Sequence, residues 1–190
     1  AYRSMEAAAK DTEGEILFYQ SKVCEGVFHR ISSGTTRDGL EVFGKMEKGY
    51  LLSVDSNWDM YGDGYLSGHY FSEGALREQL EKAYPGLVFT EEPVENQINM
   101  YKRDKVGHIL FLTVGNKTIS GEEFRQLLEL PSSNFTMQAA DGKIRFLCKG
   151  QGHGLGLSQY GGNVLAKEGK SYKEILRYYF PECGVQKKDS

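Results

Sequence analysis

The stretch Gly150–Gly161, GQGHGLGLSQYG, places glycine at every second residue four times in a row. Side chains of an extended strand alternate between two faces, so this pattern predicts a strand with one bare face. The other face carries Gln151, His153, Leu155 and Leu157. Because glycine weakens a strand, four of them predict that a ligand or another backbone comes very close. The alternative is a glycine-rich bulge that only packs against a neighbouring element.

Nucleotide and nucleic-acid binding are not supported by the sequence. The dinucleotide fingerprint G-x-G-x-x-G fails because Leu155 and Leu157 stand where its last glycine belongs, and no G-x-x-x-x-G-K-[ST] phosphate loop occurs. The net charge of −3 comes from mixed charges without a basic stripe. Nucleic acid is therefore not expected as a partner.

The three cysteines, Cys24, Cys148 and Cys183, are odd in number and widely spaced. This pattern is neither a disulfide framework nor a zinc ribbon. Cys148 ends an apolar run at 144–148 and is predicted to be a buried strand residue. A signal peptide is not expected within residues 1–190, and no apolar stretch of this sequence approaches the ~20 residues needed to span a bilayer.

Helix boundaries are clearly marked along the chain. Two serines are followed three residues later by glutamate, at Glu123 and Glu174, which predicts capping boxes. Prolines close three of the helices, and Gly169 is the predicted C-terminal cap of the fourth. The predicted helices, given by their first and last markers, are Ser72 to Pro85, Ser120 to Pro131, Ser158 to Lys167 and Ser171 to Pro181.

The remaining apolar segments predict strands. A connection ending in Gly14 predicts a hairpin between residues 2–10 and 15–20, and residues 61–68 are predicted to form a loop. Strands and helices do not alternate as βαβ units, so we expect an α+β fold: a single domain of mostly antiparallel strands with about four short helices. Further strands are predicted at 23–31, 50–54, 97–101, 108–114, 135–139 and 143–149.

Two histidines stand beside segments that are suited to a binding groove. His153 lies inside the glycine run, just upstream of Ser158 and Gln159, where a helix is predicted to begin with free N–H donors. A lone histidine is more often structural, but beside exposed backbone we favour a groove residue. His29 precedes the hydroxyl-rich loop 32–36, which is either a second wall of the groove or an ordinary hairpin loop.

Carboxylates give no clear catalytic pair. Asp55 and Asp59 flank Trp58, and two acids beside an aromatic residue are what a glycosidase groove uses. A polar loop that follows a strand has the same composition. We therefore treat these two acids as the less favoured candidates.

Residues 150–162, followed by 166–176 and 178–181, resemble the closing signature of the stage II sporulation protein D (SpoIID/LytB) family. That signature reads G-x-G-H-G-x-G-x-S-Q-x-G-A, then A-x-x-G-x-x-Y-x-x-I-L-x-x-Y-Y. The loop 29–36 is similar to the family's H-x-x-S-G-G-x-T, with Ser33 in place of its first glycine. Residues 11–17, 41–44, 50–54, 120–125 and 128–135 are also similar, so the resemblance covers almost the whole chain.

The resemblance implies peptidoglycan lytic transglycosylase activity in sporulation or cell-wall remodelling. One acid protonates the glycosidic oxygen between N-acetylmuramic acid and N-acetylglucosamine, then acts as base while the muramyl 6-hydroxyl attacks C1, leaving a 1,6-anhydro end. Glycan strands are the implied partner, alongside other cell-wall remodelling proteins, and the implied location is the extracytoplasmic cell envelope. The implied substrate-binding residues are His29, Ser32, Thr36, Gly152, His153, Gly154, Ser158 and Gln159.

One departure from the family pattern decides how much chemistry is expected. The family carries its catalytic glutamate in an N-terminal E-x-Y-[VL]-x-G-V-[VL] segment, which is absent from residues 1–190, and Glu6 has no such context. We expect residues 1–190 to form one domain that lacks this segment and is inactive alone. The catalytic acid is unknown. Membrane attachment is expected only through a segment not present here. The loop 29–36 lacks the cysteines that would indicate a metal, so neither metal nor cofactor is expected.

Two alternatives remain open at this point. The chain is a non-catalytic peptidoglycan-binding or partner-docking module, or it is an active enzyme that uses Asp55 or Asp59 as its acid.

Overall fold

A computed structural model describes residues 2–187. Their α-helices are α1 (Tyr2–Asp11), α2 (Gly39–Phe43), α3 (Glu73–Ala83), α4 (Gly121–Leu127), α5 (Gln159–Lys167) and α6 (Tyr172–Tyr179). Their strands are β1 (Glu15–Tyr19), β2 (Lys22–Val23), β3 (Phe28–His29), β4 (Leu66–Phe71), β5 (Ile98–Arg103), β6 (Ile109–Val114), β7 (Lys117–Ser120), β8 (Phe135–Ala140), β9 (Lys143–Lys149), β10 (Leu157–Ser158) and β11 (Gly184–Lys187). Short 3-10 helices occupy Met46–Lys48, Asn57–Tyr61 and Val94–Gln97.

The described strands form four small sheets. Three sheets are antiparallel, with strand orders β11-β1-β2, β4-β9-β8 and β5-β6-β7. The fourth is the parallel pair β3 and β10, which joins the two segments that carry the predicted site. The predicted α+β class with mostly antiparallel strands is confirmed.

Two apolar cores divide the domain. The central region (residues 66–149) buries one core, in which the rings of Phe124, Phe135 and Phe146 pack at centroid distances of 5.4 to 5.7 Å. The terminal region (residues 15–61 and 150–187) buries the other around Leu51, Tyr179 and neighbouring side chains. The central region is therefore one continuous segment, which lies in sequence between the two segments that form the terminal region.

The four predicted helices are confirmed, and their caps explain their starts. Ser120 and Ser171 each accept a hydrogen bond from the backbone N–H of a glutamate three residues on, whose side chain accepts from the serine N–H in return. Ser72 and Ser158 cap α3 and α5 with their hydroxyl oxygens. The short helix α2, capped by Asp38, was not expected.

The hairpin predicted between residues 2–10 and 15–20 is wrong. Residues 2–11 form a helix, and β1 instead turns back into β2 through Gln20 and Ser21, whose φ values are +49° and +62°. Left-handed conformations at both central residues suit a tight two-residue hairpin. Sequence reasoning missed this turn because neither residue is a glycine.

Other strand predictions need smaller corrections. The predicted loop 61–68 already enters β4, which pairs with β9 along its length. The predicted strand 23–31 survives only as β2 and β3, and 50–54 forms no strand. Isolated backbone hydrogen bonds hold that segment, including one of 2.9 Å from the Thr36 N–H to the Val54 carbonyl. Cys148 is fully buried in β9, as predicted. No helix among residues 2–187 is long and apolar enough to cross a membrane.

Candidate functional site

The glycine run is not the extended strand that its alternation predicts. Gly150, Gly152, Gly154 and Gly156 all have positive φ, at +77°, +106°, +75° and +68°. The run therefore alternates between glycines with positive φ and residues with negative φ instead of presenting two flat faces. It makes only isolated bridges before β10 begins.

The predicted close approach is present, and another part of the same chain makes it. A methyl group on Gly152 would lie 2.8 Å from the His29 Cβ atom, and one on Gly150 would lie 2.9 Å from the Ile31 carbonyl oxygen. We call this contact of residues 27–37 with residues 150–158 the glycine crossing. The bare backbone is thus covered by protein, and a ligand has to reach the side chains at its edges.

Backbone hydrogen bonds hold the glycine crossing together. The Gln151 N–H donates to the Ile31 carbonyl at 2.7 Å, and the Arg37 N–H donates to the Gly154 carbonyl at 2.8 Å. The Ser158 hydroxyl is buried and accepts from the Gly161 N–H at 3.2 Å, as the cap of α5. Ser158 is therefore part of the framework.

His29 is buried at the centre of the crossing. Its Nδ1 lies 3.0 Å from the Leu155 carbonyl oxygen, so Nδ1 carries the proton and donates. Its Nε2 is buried without a hydrogen-bond partner. The His153 ring packs edge-on against the His29 ring, with 5.8 Å between the two ring centroids. Burial lowers the pKa of His29 to about 4. His29 is therefore neutral at pH 7.

His153 is half-buried beside it and has the opposite tautomer. Its Nδ1 accepts from the Leu155 N–H at 3.1 Å, so in the neutral ring Nε2 carries the proton. Burial lowers the pKa of His153 below its ordinary value, although the Glu122 carboxylate and a hydrogen bond to the Phe28 backbone act in the other direction. His153 is a neutral N–H donor at pH 7.

A buried ion pair fixes the backbone of His153 and joins the two regions. The Arg37 Nε donates to Asp104 Oδ2 at 2.6 Å, and Arg37 Nη1 donates to the His153 carbonyl at 3.1 Å. Asp104 Oδ1 accepts from the His108 N–H at 2.8 Å, and the His108 ring lies 3.0 Å from the Ser133 hydroxyl. Burial, followed by the Arg37 charge, lowers the pKa of His108 well below its usual range.

Sequence reasoning missed this network. No local motif marks His108, Arg37 or Asp104 as partners. The two partners of the ion pair are 67 residues apart, and no local pattern connects them.

A groove of about 380 Å³ opens on the His153 side, between the central and terminal regions. We call it the histidine groove. Its apolar lining includes Val27, Leu51, Ile109 and Leu155, while Phe43 and Phe111 are 45% and 42% exposed at it. Half of its sixteen lining residues are polar or charged, among them Glu25, Lys48 and Lys102, so the groove offers both apolar surface and hydrogen-bonding groups to a ligand.

Glu122 is one of three glutamates that line the histidine groove, with Glu25 and Glu41. Its Oε1 accepts from Arg125, whereas its Oε2 is buried without a hydrogen-bond partner. Burial alone would raise the pKa of Glu122, but the hydrogen bond and charge of Arg125 outweigh it and lower the pKa. Glu122 is therefore an ionised acceptor with one free oxygen.

Gln159 lies at a different opening. It is exposed and lines a cleft of about 470 Å³ with Arg30, Tyr61, Tyr160 and Asn163. We call this the tyrosine cleft. The predicted site residues are therefore divided, with His153 at one opening, Gln159 at the other, and the glycine crossing between them.

The remaining predicted residues are internal. Ser32 is buried, and its N–H donates to Asp59 Oδ2 at 2.7 Å. Thr36 is also buried, and its hydroxyl donates to the Leu52 carbonyl at 3.3 Å and accepts from the Val54 N–H at 2.9 Å. Asp55 is exposed, and neither it nor Asp59 lines the histidine groove.

Four carboxyl groups of the described residues are poorly suited to act as a general acid. The pKa values of Glu15, Glu122, Glu123 and Glu174 are all lowered from the ordinary value of a glutamate. A general acid for glycoside chemistry needs the opposite shift. Within residues 2–187, no group of three or more His, Cys, Asp or Glu side chains is placed to hold a metal ion.

The fold and site define an α+β domain that holds a glycine-rich, histidine-bearing loop beside an apolar groove. The chain is 31% identical over 183 residues to Stage II sporulation protein D of Bacillus amyloliquefaciens, which covers 96% of this chain and 51% of that protein. It is 29% identical over 184 residues to the protein of the same name in Bacillus subtilis (strain 168), with the same shares covered. The predicted resemblance to the stage II sporulation protein D family is thereby confirmed.

These matches cover different shares of the relatives' sequences. The chain spans about half the length of the two sporulation relatives. A shorter match of 88 residues, at 32% identity, covers 46% of this chain and 12% of an Amidase enhancer of Bacillus subtilis (strain 168). No family model matches the chain.

Proposed function

We propose that this chain is the glycan-binding part of a peptidoglycan lytic transglycosylase that acts in sporulation or cell-wall remodelling, in the extracytoplasmic cell envelope. The relatives' names support the sporulation role. The observation that carries the binding role is the position of His153. The one histidine of the glycine run borders the histidine groove as a neutral donor, and Glu122, which has one oxygen without a partner, lines the same groove.

This pair of polar groups suits an N-acetylated sugar. An acetamido group presents one N–H, one carbonyl and one methyl group, which require an acceptor, a donor and an apolar surface. Glu122 Oε2, His153 Nε2–H and the ring of Phe43 supply these three. Glu122 Oε2 is covered by protein in the described structure, so in the proposed complex the side chain turns toward the groove, and the ligand N–H then supplies the hydrogen bond that this oxygen lacks.

Cleavage requires an acid that enters this groove from another part of the full protein. The downward pKa shift of Glu122 makes it a poor proton donor, and Asp55 and Asp59 lie elsewhere. In the proposed reaction, the added carboxylic acid protonates the glycosidic oxygen and then accepts the proton of the muramyl 6-hydroxyl. The groove's apolar lining would keep the pKa of that acid raised.

The test uses glycan strands stripped of stem peptides and the 190-residue chain. Strands should be retained, and mass spectrometry should find no anhydromuramyl ends. Replacing His153→Ala should weaken retention at least tenfold, about 1.4 kcal/mol, while His69→Ala, a histidine on β4 outside the groove, should not change it.

Three outcomes contradict parts of this proposal. Anhydromuramyl ends would place the acid within this chain. Unchanged retention by His153→Ala would remove the histidine groove as the binding site, and loss with Gln159→Ala would then favour the tyrosine cleft. Absence of retention by the wild-type chain would overturn glycan binding itself.

A further inference from the structure

Cys24 and Cys183 lie side by side although 159 residues separate them. Their Sγ atoms are 3.6 Å apart, and both side chains are half-buried against the terminal core. The third cysteine, Cys148, is fully buried in the central core. The chain therefore has one facing pair of thiols and one isolated thiol.

The backbone on both sides of this pair is ordered by hydrogen bonds. Cys24 directly follows β2, and its N–H donates to the Leu17 carbonyl at 3.0 Å. Cys183 directly precedes β11, and its N–H donates to the Phe180 carbonyl at 3.0 Å. Phe18 of β1 pairs on its two sides with a residue next to each cysteine, namely Val23, which precedes Cys24, and Gly184, which follows Cys183. The two cysteines are thus anchored on opposite sides of β1.

We propose that Cys24 and Cys183 form a reversible disulfide that fastens the sheet β11-β1-β2 across its width and ties the end of α6 to the start of the chain. This proposal does not depend on the glycan-binding role. The described structure contains the reduced form, with three free cysteines.

The oxidant in this proposal is a small-molecule disulfide. The thiolate of one cysteine attacks a sulfur of the oxidant and releases one thiol, forming a mixed disulfide. The second cysteine then attacks the protein sulfur of that mixed disulfide and releases the second thiol. Two protein thiols lose two electrons and two protons, and the oxidant becomes two thiols.

The environment of the pair sets the conditions for the reaction. Burial raises the pKa of Cys24, and burial together with the neighbouring Cys24 raises the pKa of Cys183 to about 12. Little thiolate exists at neutral pH, so exchange should be slow there and faster in mild alkali. Once formed, the bond closes a long loop of chain, which constrains the unfolded state strongly.

The experiment treats the 190-residue protein with oxidised glutathione at pH 8.5, followed by iodoacetamide in denaturant. Oxidised protein should carry one carbamidomethyl group, on Cys148, where reduced protein carries three. A peptide joining Cys24 to Cys183 should appear, and the Tm should rise by roughly 5 to 10 °C. Cys148→Ser should still form the bond and leave no free thiol.

Matched variants keep the proposal open to refutation. Cys24→Ser and Cys183→Ser should each stop at a single glutathione adduct and show no rise in Tm. Three carbamidomethyl groups on the treated wild type, a persistent glutathione adduct, or a disulfide-linked dimer on a non-reducing gel would each overturn the proposal.

Discussion

The central and terminal regions of this domain are built in different ways. The central region pairs long strands, with six registered residue pairs between β4 and β9 and six between β8 and β9. In the terminal region, β2, β3 and β10 are two residues long, and the glycine crossing depends on isolated bridges such as Ile31 with Gln151. Regular ladders hold one region, whereas close backbone contacts and buried polar bonds hold the other.

This difference predicts where small changes are costly. In a strand ladder, side chains project from the sheet and leave room for modest substitutions. In the glycine crossing, main-chain atoms of two segments occupy the space that a side chain needs. We therefore expect added methyl groups and lost polar partners to damage the terminal region and its junction more than the central sheets.

The largest effect is expected from Gly156→Ala. Gly156 has φ +68°, and a methyl group there would collide with the Val27 carbonyl oxygen. Gly142, in the turn between β8 and β9, has φ +70° but no atom within 4 Å of the same position. Gly156→Ala should lower the free energy of unfolding by about 4 kcal/mol and Gly142→Ala by about 1 to 2 kcal/mol, measured in urea.

These two glycines share a backbone conformation and differ in packing. Equal losses from the two variants would show that left-handed strain alone explains the cost. The distinction between the close contact at Gly156 and the open turn at Gly142 would then fail.

A somewhat smaller effect is expected at the buried ion pair that joins the regions. Asp104→Asn would leave Arg37 charged and 5% exposed without its carboxylate, which should cost about 3 kcal/mol. The control is Glu81→Gln, which removes the exposed pair of Arg77 with Glu81 at 3.9 Å and should cost at most about 0.5 kcal/mol.

The unfolding curve of Asp104→Asn also tests the junction. Fluorescence reports on Trp58 in the terminal region, whereas far-ultraviolet circular dichroism reports on both regions. If the junction is loosened, the fluorescence transition and the circular dichroism transition should occur at different urea concentrations. Coincident transitions with no loss of stability would contradict the role given to Arg37 and Asp104.

Sequence reasoning succeeded where local chemistry decides the structure. Serine caps located four helices, and apolar runs located β9 to the residue. It failed at the glycine run, because alternation cannot distinguish a pleated strand from residues that alternate between positive and negative φ. It also missed β4, whose glycine-containing sequence resembles a loop until β9 pairs with it.

Part of the geometry around the predicted site follows from the motif for the same reason. The motif predicted the close approach of another backbone, which the structure shows, and it marked His153, which lines the histidine groove. It did not reveal that Ser32, Thr36 and Ser158 would be buried, since burial depends on which segments meet. Glu122 and Arg37 come from distant elements, so only the folded chain places them at the groove with His153.

The smallest expected effect concerns pH and the histidines at the junction. His29 has a pKa of about 4 in the folded chain and an ordinary value near 6.5 when unfolded, so between these values only the unfolded chain binds the proton. Its contribution to stability is complete above about pH 6.5 and falls as the pH falls toward 4. By pH 5 the loss due to His29 should be about 2 kcal/mol.

Urea unfolding from pH 7.5 to 5 measures this loss. In His29→Gln, the slope of the free energy of unfolding against pH should decrease by an amount that corresponds to about one bound proton. His108 and His153 also have lowered pKa values, so part of the slope should remain in that variant. His69→Gln, on β4, should leave the slope intact because its ring lies outside the glycine crossing. If the free energy of unfolding of the wild type did not change over this pH range, the junction would not keep its histidines neutral. The two regions would then not differ in their electrostatics.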